Sequence, residues 1–243
     1  ITAFEKHLDD NPDLDYESLT PDQFEDPDFD EEDFTIGGRR RIHLAHLKLP
    51  EWLKAVRNDR TQLHFLLEKT QSVTAKRDGK LAELKGFIEE KVNHPTINRD
   101  GKANRKVLVF TAFADTARYL HEHLAPWARN ELKIHTGLVC GDGGNAASLG
   151  RTDYDEILTN FSPLAKRRVD QEARFPNQQE EIDLLIATDC ISEGQNLQDC
   201  DLLINYDIHW NPVRIIQRFG RIDRIGSRNE SVQLVNFWPV ADL

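Results

Sequence analysis

Residues 182–189 read Ile-Asp-Leu-Leu-Ile-Ala-Thr-Asp. Five of the first six side chains are apolar, and two polar residues follow them directly. The same build returns downstream, where Leu202–Tyr206 is followed by Asp207, and upstream, where Val107–Phe110 is followed by Thr111. A strand that is apolar along its whole length must be covered on both faces, which is the situation of a parallel sheet flanked by helices. Leu132–His135 and Val232–Phe237 are expected as further short strands. Helical spacing fills the gaps between them. Asp115–Leu124 places Ala117, Leu120 and Leu124 inward, and Asn211-Pro212 opens a helix through Phe219 with an Asn cap and a Pro at its first position. Ser162-Pro163 carries the same signal, so a helix is expected to run from there to about Phe175. Residues 138–161 contain Gly141-Asp142-Gly143-Gly144 and are expected to form a loop. Strands alternating with helices in this way indicate an α/β lobe with a mostly parallel sheet.

The rest of the chain is organised differently. From about Pro50 to Val92 the spacing is helical, with Leu63, Leu66 and Leu67 on one face and Leu81, Leu84 and Ile88 on another. At least two helices are expected, broken near Asp78-Gly79. Residues 1–38 hold 14 Asp and Glu against one Lys, while the remainder balances 30 Lys and Arg against 28 Asp and Glu. The net charge of −11 therefore belongs to an acidic tail, and the lobe itself is close to neutral. The tail is read as a solvated connector, or alternatively as a strap that mimics nucleic acid in a basic groove. The expected divisions are an acidic, poorly ordered connector over 1–40, a helical segment packed on the lobe over 41–100, and the α/β lobe over 101–243. The chain begins with Ile and contains no Met, and it is expected to be part of a longer polypeptide.

In open α/β sheets, ligands gather beyond the carboxyl ends of the strands. That places Thr111, Thr188, Asp189 and Asp207 where chemistry is expected. Around them the chain reads Ala-Thr-Asp over 187–189, Ser-Glu-Gly-Gln-Asn-Leu-Gln over 192–198, Trp-Asn-Pro over 210–212 and Gln-Arg-Phe-Gly-Arg-Ile-Asp-Arg-Ile-Gly over 217–226. These stretches resemble motifs V and VI of the Swi/Snf branch of helicase superfamily 2, the group of DEAD- and DEAH-like ATPases. Val107–Thr111 resembles motif IV, and His135-Thr136-Gly137 extends the likeness, which covers about residues 104–238. Ser227, where the family commonly has Gln, departs from the pattern.

The resemblance implies a C-terminal RecA-like lobe with helical additions before it. It also implies roles for individual residues. Arg221 and Arg224 match the arginine fingers that stabilise charge on a transferring γ-phosphoryl group. A guanidinium suits that work because it is planar, forked and protonated at any working pH. Gly194, Asn196 and Gln217 fall where ATP is contacted. Thr111, Gly137 and Thr188 fall where nucleic-acid phosphates are contacted, and Asp189 is expected between the two lobes. Arg214, Arg218 and Arg221 would share one face if the helix continued through them, with Arg214 and Arg218 simply solvated. Lys166-Arg167-Arg168 is a candidate basic patch.

Several chemistries have no support in the sequence. No Gly-x-x-x-x-Gly-Lys-Ser/Thr loop is present to cradle phosphates. The acidic run Asp30–Asp33 lacks the apolar strand that precedes a metal-holding box. His43 and His46 have no carboxylate or Cys at ligand spacing, so no metal site is expected. Cys140, Cys190 and Cys200 form no paired motif and are expected as free thiols in a cytoplasmic protein. ATP and Mg²⁺ are expected to be held mainly by a first lobe of the same protein. The partners implied are that N-terminal lobe and nucleic acid, DNA before RNA, with no membrane. The resulting expectation is half of an ATP-driven translocase on double-stranded DNA, inactive as an ATPase without the other half. A lobe of a duplex-unwinding helicase and a non-catalytic binding adaptor are the alternatives. A wedge element elsewhere in the protein would favour the first, and lost fingers the second.

Overall fold

A computed structural model describes residues 35–36, 42–43, 48–71, 73–141, 143–176, 179–191, 195–208 and 211–238. The acidic residues 1–34, and the connector or strap expected there, lie outside the described residues. Contacts divide the chain into two compact units, Ile1–Thr74 and Ala75–Leu243. In the first, strand β1 (Thr35–Ile36) pairs antiparallel with β2 (Ile42–His43), and helix α1 (Leu49–Gln71) follows. Leu63, Leu66 and Leu67 are exposed on it.

The second unit starts with helix α2 (Gly79–Asn93), so that helix belongs with the sheet rather than with the segment before it. Asp78 caps α2, its carboxylate accepting the Leu81 N–H at 2.9 Å. Then come a small antiparallel hairpin, β3 (Thr96–Ile97) and β4 (Ala103–Asn104), strand β5 (Val107–Phe110) and helix α3 (Ala114–Trp127). A π-turn over Ala128–Leu132 leads into β6 (His135–Val139). After it follow β7 (Ala146–Ala147), helix α4 (Tyr154–Phe161), β8 (Ile182–Ala187), β9 (Leu202–Asn205), helix α5 (Pro212–Phe219) and β10 (Gln233–Asn236). The main sheet has six strands in the order β10-β9-β5-β8-β6-β7, and only β7 runs antiparallel.

The alternation in β5 shows how this sequence closes both faces. Val107 and Val109 pack with Leu81, Leu84, Ile88, Leu120 and Leu124 of α2 and α3. Leu108 and Phe110 pack on the other side with Ile157, Leu158 and Phe161 of α4 and with Leu197 and Ile222. Each fully buried Leu, Ile or Phe contributes about 1.5–3 kcal/mol relative to exposure. The two apolar layers therefore hold the strand ends in fixed register.

Three local expectations are corrected. The stretch 138–161 is not a loop, since it contains β7 and the whole of α4. The helix expected from Ser162 to Phe175 does not form. Ser162 instead ends α4, its N–H donating back to the Leu158 carbonyl. The next two free N–H groups, of Leu164 and Ala165, are taken by the Asp199 carboxylate at 2.7 and 3.0 Å. Arg167 then turns left-handed with φ 51°, and only a short 3₁₀ turn follows over Arg168–Gln171. The strand expected at Leu132–His135 begins instead at His135, because Leu132 closes the π-turn.

Candidate functional site

Four polar residues stand at the carboxyl ends of neighbouring strands, as the apolar runs require: Thr111 after β5, Thr188 and Asp189 after β8, and Asp207 after β9. The ladder continues into them, with the Thr111 N–H bonded to the Ala187 carbonyl at 3.0 Å and the Thr188 N–H to the Val139 carbonyl at 3.1 Å. α5 delivers Arg218 into the middle of this group. Its start is set by Asn211, whose side chain accepts the Val213 N–H at 3.0 Å, and by Pro212 at the first position.

Arg218 is 2% exposed and fully engaged. It meets both carboxylate oxygens of Asp189, Nε to Oδ1 at 2.6 Å and Nη2 to Oδ2 at 2.8 Å. Nη1 donates to Asn205 Oδ1 at 2.9 Å and to the Asp207 carbonyl at 3.3 Å, and the guanidinium lies 5.1 Å from the Phe110 ring centre. The guanidinium is buried while the Asp189 carboxylate stays partly exposed, so removing the carboxylate would strand a buried charge. Two expectations are corrected here. Arg218 is not a solvated helix residue, and the helical face expected for Arg214, Arg218 and Arg221 is broken. Asp189 pairs with Arg218 while its side chain stays partly exposed at the strand end.

Arg221 does not continue the helical face of Arg214 and Arg218, because α5 ends at Phe219. It sits in a turn held from both sides: its N–H donates to the Arg218 carbonyl at 3.0 Å, and its carbonyl accepts the Leu197 N–H at 3.0 Å. Its half-buried guanidinium makes no hydrogen bond or ion pair among the described residues. Arg224 is exposed and donates to Asn196 Oδ1. Gln217 lies half-buried on the last turn of α5. The structure thus gathers Arg221, Arg224 and Asn196 around the Leu197–Arg221 backbone bridge. Gly194 lies outside the described residues.

The expected nucleic-acid residues fare differently. Thr111 is fully buried, and its hydroxyl donates inward to Asp207 Oδ2. Asp207 also pairs with Lys80 Nζ at 3.1 Å, and that amine lies 3.9 Å from the Tyr206 ring centre. Gly137 is buried inside β6 with ladder partners on both sides. A Cβ there would stand 2.8 Å from Ile157 Cγ2, so packing against α4 is what excludes a side chain. Thr111 and Gly137 therefore present no group to a phosphate. Thr188 is 7% exposed at the strand end. The basic run 166–168 is divided. Arg168 is buried on Asn160 and the Glu180 carbonyl, and Arg167 pairs with Asp170 at 2.7 Å. Lys166 reaches Gln195 Oε1, and burial holds its amine below the usual lysine range.

The Arg218 cluster, the Lys80–Asp207 pair and the amides Asn104 and Asn229 described below are absent from the sequence-based set. Their partners are distant in sequence, and no local spacing announces them. Cys140, Cys190 and Cys200 are free thiols, and burial raises Cys200 to about 12. Among the described residues no group of three or more His, Cys, Asp or Glu could hold a metal ion, and no helix is long and apolar enough to cross a membrane.

Residues 80–226 match the family model described as the helicase conserved C-terminal domain. An uncharacterized ATP-dependent helicase, YqhH of Bacillus subtilis, is 53% identical over 49 residues, covering 20% of this chain and 9% of that protein. The putative ATP-dependent DNA helicase fml2 of Schizosaccharomyces pombe is 30% identical over 146 residues, covering 55% and 16%. The ATP-dependent RNA helicase dbp8 of Aspergillus terreus is 27% identical over 142 residues, covering 58% and 22%. The chain thus spans less than a quarter of the length of each of these relatives.

Proposed function

The chain belongs to the helicase conserved C-terminal domain family, and from that premise we propose that it is the second motor lobe of a Swi/Snf-type ATPase that moves along double-stranded DNA. The observation that carries the reading is the contrast among the arginines of one segment. Arg218 is consumed inside the lobe, whereas Arg221 is fixed by its backbone and left without a side-chain partner among the described residues. A guanidinium held half-buried and unpaired carries a desolvation cost that an external anion would offset. A γ-phosphoryl group bound on a facing lobe fits that requirement. Arg224, positioned by Asn196, would reach the same charge as the cleft closes.

ATP would lie between this lobe and a preceding one, and closing the cleft would bring the fingers to it. Among the described residues no group of three or more His, Cys, Asp or Glu could hold Mg²⁺; the ion, like the phosphates, would be held mainly by the preceding lobe. Asn196 and Gln217 stand beside the nucleotide in this reading. Thr188, at the end of β8, is the remaining candidate from the sequence for a backbone contact to nucleic acid. Double-stranded DNA is preferred on the Swi/Snf likeness of 187–226 and on the name of fml2 as a DNA helicase. The name of dbp8 makes RNA the alternative.

In the full-length protein, Arg221→Ala should lower ATP turnover by about 10³-fold or more, the scale of a lost arginine finger. Its melting temperature should match the parent, since that side chain makes no hydrogen bond or ion pair among the described residues. Near-parental turnover would remove Arg221 from its role. Stimulation of turnover by duplex DNA, with none by duplex RNA, is the expected response, and the reverse would give the protein to RNA.

A further inference from the structure

Behind the finger segment, three stretches far apart in sequence are tied together by two buried amides. Asn104, 6% exposed, closes the β3–β4 hairpin. Its Nδ2 donates to Asn229 Oδ1 at 2.9 Å and to the Asp199 carbonyl at 2.8 Å, and its Oδ1 accepts the Lys106 N–H at 3.0 Å. Asn229, 8% exposed, lies just past the fingers and donates its own Nδ2 to the Gln198 carbonyl at 3.0 Å. The Ser227 hydroxyl donates to that same carbonyl at 3.1 Å, and the Asn229 N–H donates to Ser227 Oγ at 3.2 Å. On the solvent side the Arg99 N–H donates to the Arg228 carbonyl at 2.9 Å, and the Arg228 guanidinium pairs with Asp100. Gly226, with φ +91°, makes the turn between Arg224 and Ser227.

These bonds join no two strands of the main sheet. They join the β3–β4 hairpin to two loops, 198–199 and 227–229, and both of those loops border the fingers. Gln198 and Asp199 lie two and three residues after Asn196, which holds Arg224. Ser227 to Asn229 lie three to five residues after Arg224 itself. The front of the same segment is pinned by the Leu197–Arg221 backbone bond. The finger turn is therefore held in front by its own chain and behind by the hairpin.

We infer that Asn104 and Asn229 form an amide latch through which the β3–β4 hairpin sets the position of the Arg221–Arg224 segment relative to Asn196. The inference rests on the reading of these arginines as fingers. The two asparagines are positioning residues and touch no substrate. Every polar group on the latch is engaged, so truncating one amide leaves buried partners unpaired and lets the loop shift. A shift of about 1 Å at a group that must meet a transition state costs up to about 10²-fold in rate. The loss falls on kcat, because the fingers meet charge that develops in the transition state rather than the bound ground state.

The test uses the full-length protein with saturating duplex DNA. Asn229→Ala is expected to lower kcat about tenfold or more, with KM for ATP unchanged within about twofold and melting still cooperative. The outer contact gives a variant that leaves the core intact. Asp100→Arg alone should lower kcat by a smaller factor, and Asp100→Arg with Arg228→Asp should restore most of it. A merely structural contact would lower the melting temperature of Asp100→Arg and leave kcat per folded molecule unchanged. Parental kcat in both Asn229→Ala and Asp100→Arg would overturn the latch, as would failure of the exchanged pair to restore a lowered rate. Arg221→Ala, assayed in parallel, separates the two claims. If it is inactive while Asn229→Ala is normal, the latch alone fails. If Arg221→Ala turns over normally, the finger reading fails and the latch with it.

Discussion

Arg218 and Arg221 stand three residues apart and are put to opposite uses. Arg218 points into the strand ends and binds Asp189, Asn205 and the Asp207 carbonyl, while Arg221 is carried past the end of α5 with its charge unspent. Arg221 is legible in the sequence through its motif position, whereas Arg218 reads there only as a solvated helix residue. The division of labour is not legible, because the carboxylate and amide that claim Arg218 lie 29 and 13 residues away and meet it only once the sheet has formed. Asp183 gives a residue-scale test of the fold's electrostatics. Burial raises its carboxyl above the ordinary 3.8, and the attraction of Lys106 opposes that only in part. A raised carboxyl means the folded state binds the proton more tightly than the unfolded chain. Stability from this group is therefore present in acid and is lost as pH rises from about 4 through the raised value. Asp183→Asn should raise Tm by a few degrees at pH 7, and the gain should vanish near pH 4. A gain independent of pH, or a loss at pH 7, would contradict the sign.

At the scale of elements, the strands are the most legible part, because β5, β8 and β9 are apolar along nearly their whole length and nothing else explains such runs. α3 and α5 are legible from spacing and from the Asn-Pro start. The region 138–175 is not. Glycines at 141, 143 and 144 signal a loop and hide α4, whose eight residues carry Ile157, Leu158 and Phe161 as buried apolar anchors, with Tyr154 partly buried beside them. Ser162-Pro163 carries a helix-start signal, but Asp199, arriving from 34 and 35 residues away, takes the N–H groups of Ala165 and Leu164. A side chain distant in sequence thus overrides a local preference. Gly137 tests how closely α4 packs on β6. Its backbone is unstrained for any residue, so the effect of a Cβ is steric: it would meet Ile157 Cγ2 at 2.8 Å, and that methyl is branched at Cβ and cannot swing away. Gly137→Ala should destabilise the chain by about 1–3 kcal/mol. Combined with Ile157→Ala, which removes that methyl, the loss should be clearly smaller than the two single losses added. Additive losses would place the contact elsewhere.

At the scale of the lobe, the described residues close on one another and leave the Arg221 guanidinium without a side-chain partner among them. The apolar layers close the two faces, the Arg218 cluster closes the strand ends, and the β3–β4 hairpin closes the rear of the finger turn. What remains open among the described residues is a guanidinium suited to an anion, and these 243 residues lack the sequence that usually cradles one. They contain no Gly-x-x-x-x-Gly-Lys-Ser/Thr sequence, and the described residues contain no carboxylate cluster suited to a divalent cation. Phosphoryl transfer needs the phosphates held, their charge neutralised and the nucleophile aligned before a finger contributes its about 10³–10⁵-fold. A finger without the cradle should therefore give almost nothing. The purified chain is expected to hydrolyse ATP no faster than buffer, with or without duplex DNA, at concentrations where the full-length protein shows stimulated turnover. The assay is phosphate release at matched concentration, with Arg221→Ala of the same chain as a control for contaminating activity. Turnover that survives purification and disappears in the Arg221→Ala chain would show that the lobe carries a complete site of its own, and the division of labour across a cleft would have to be abandoned.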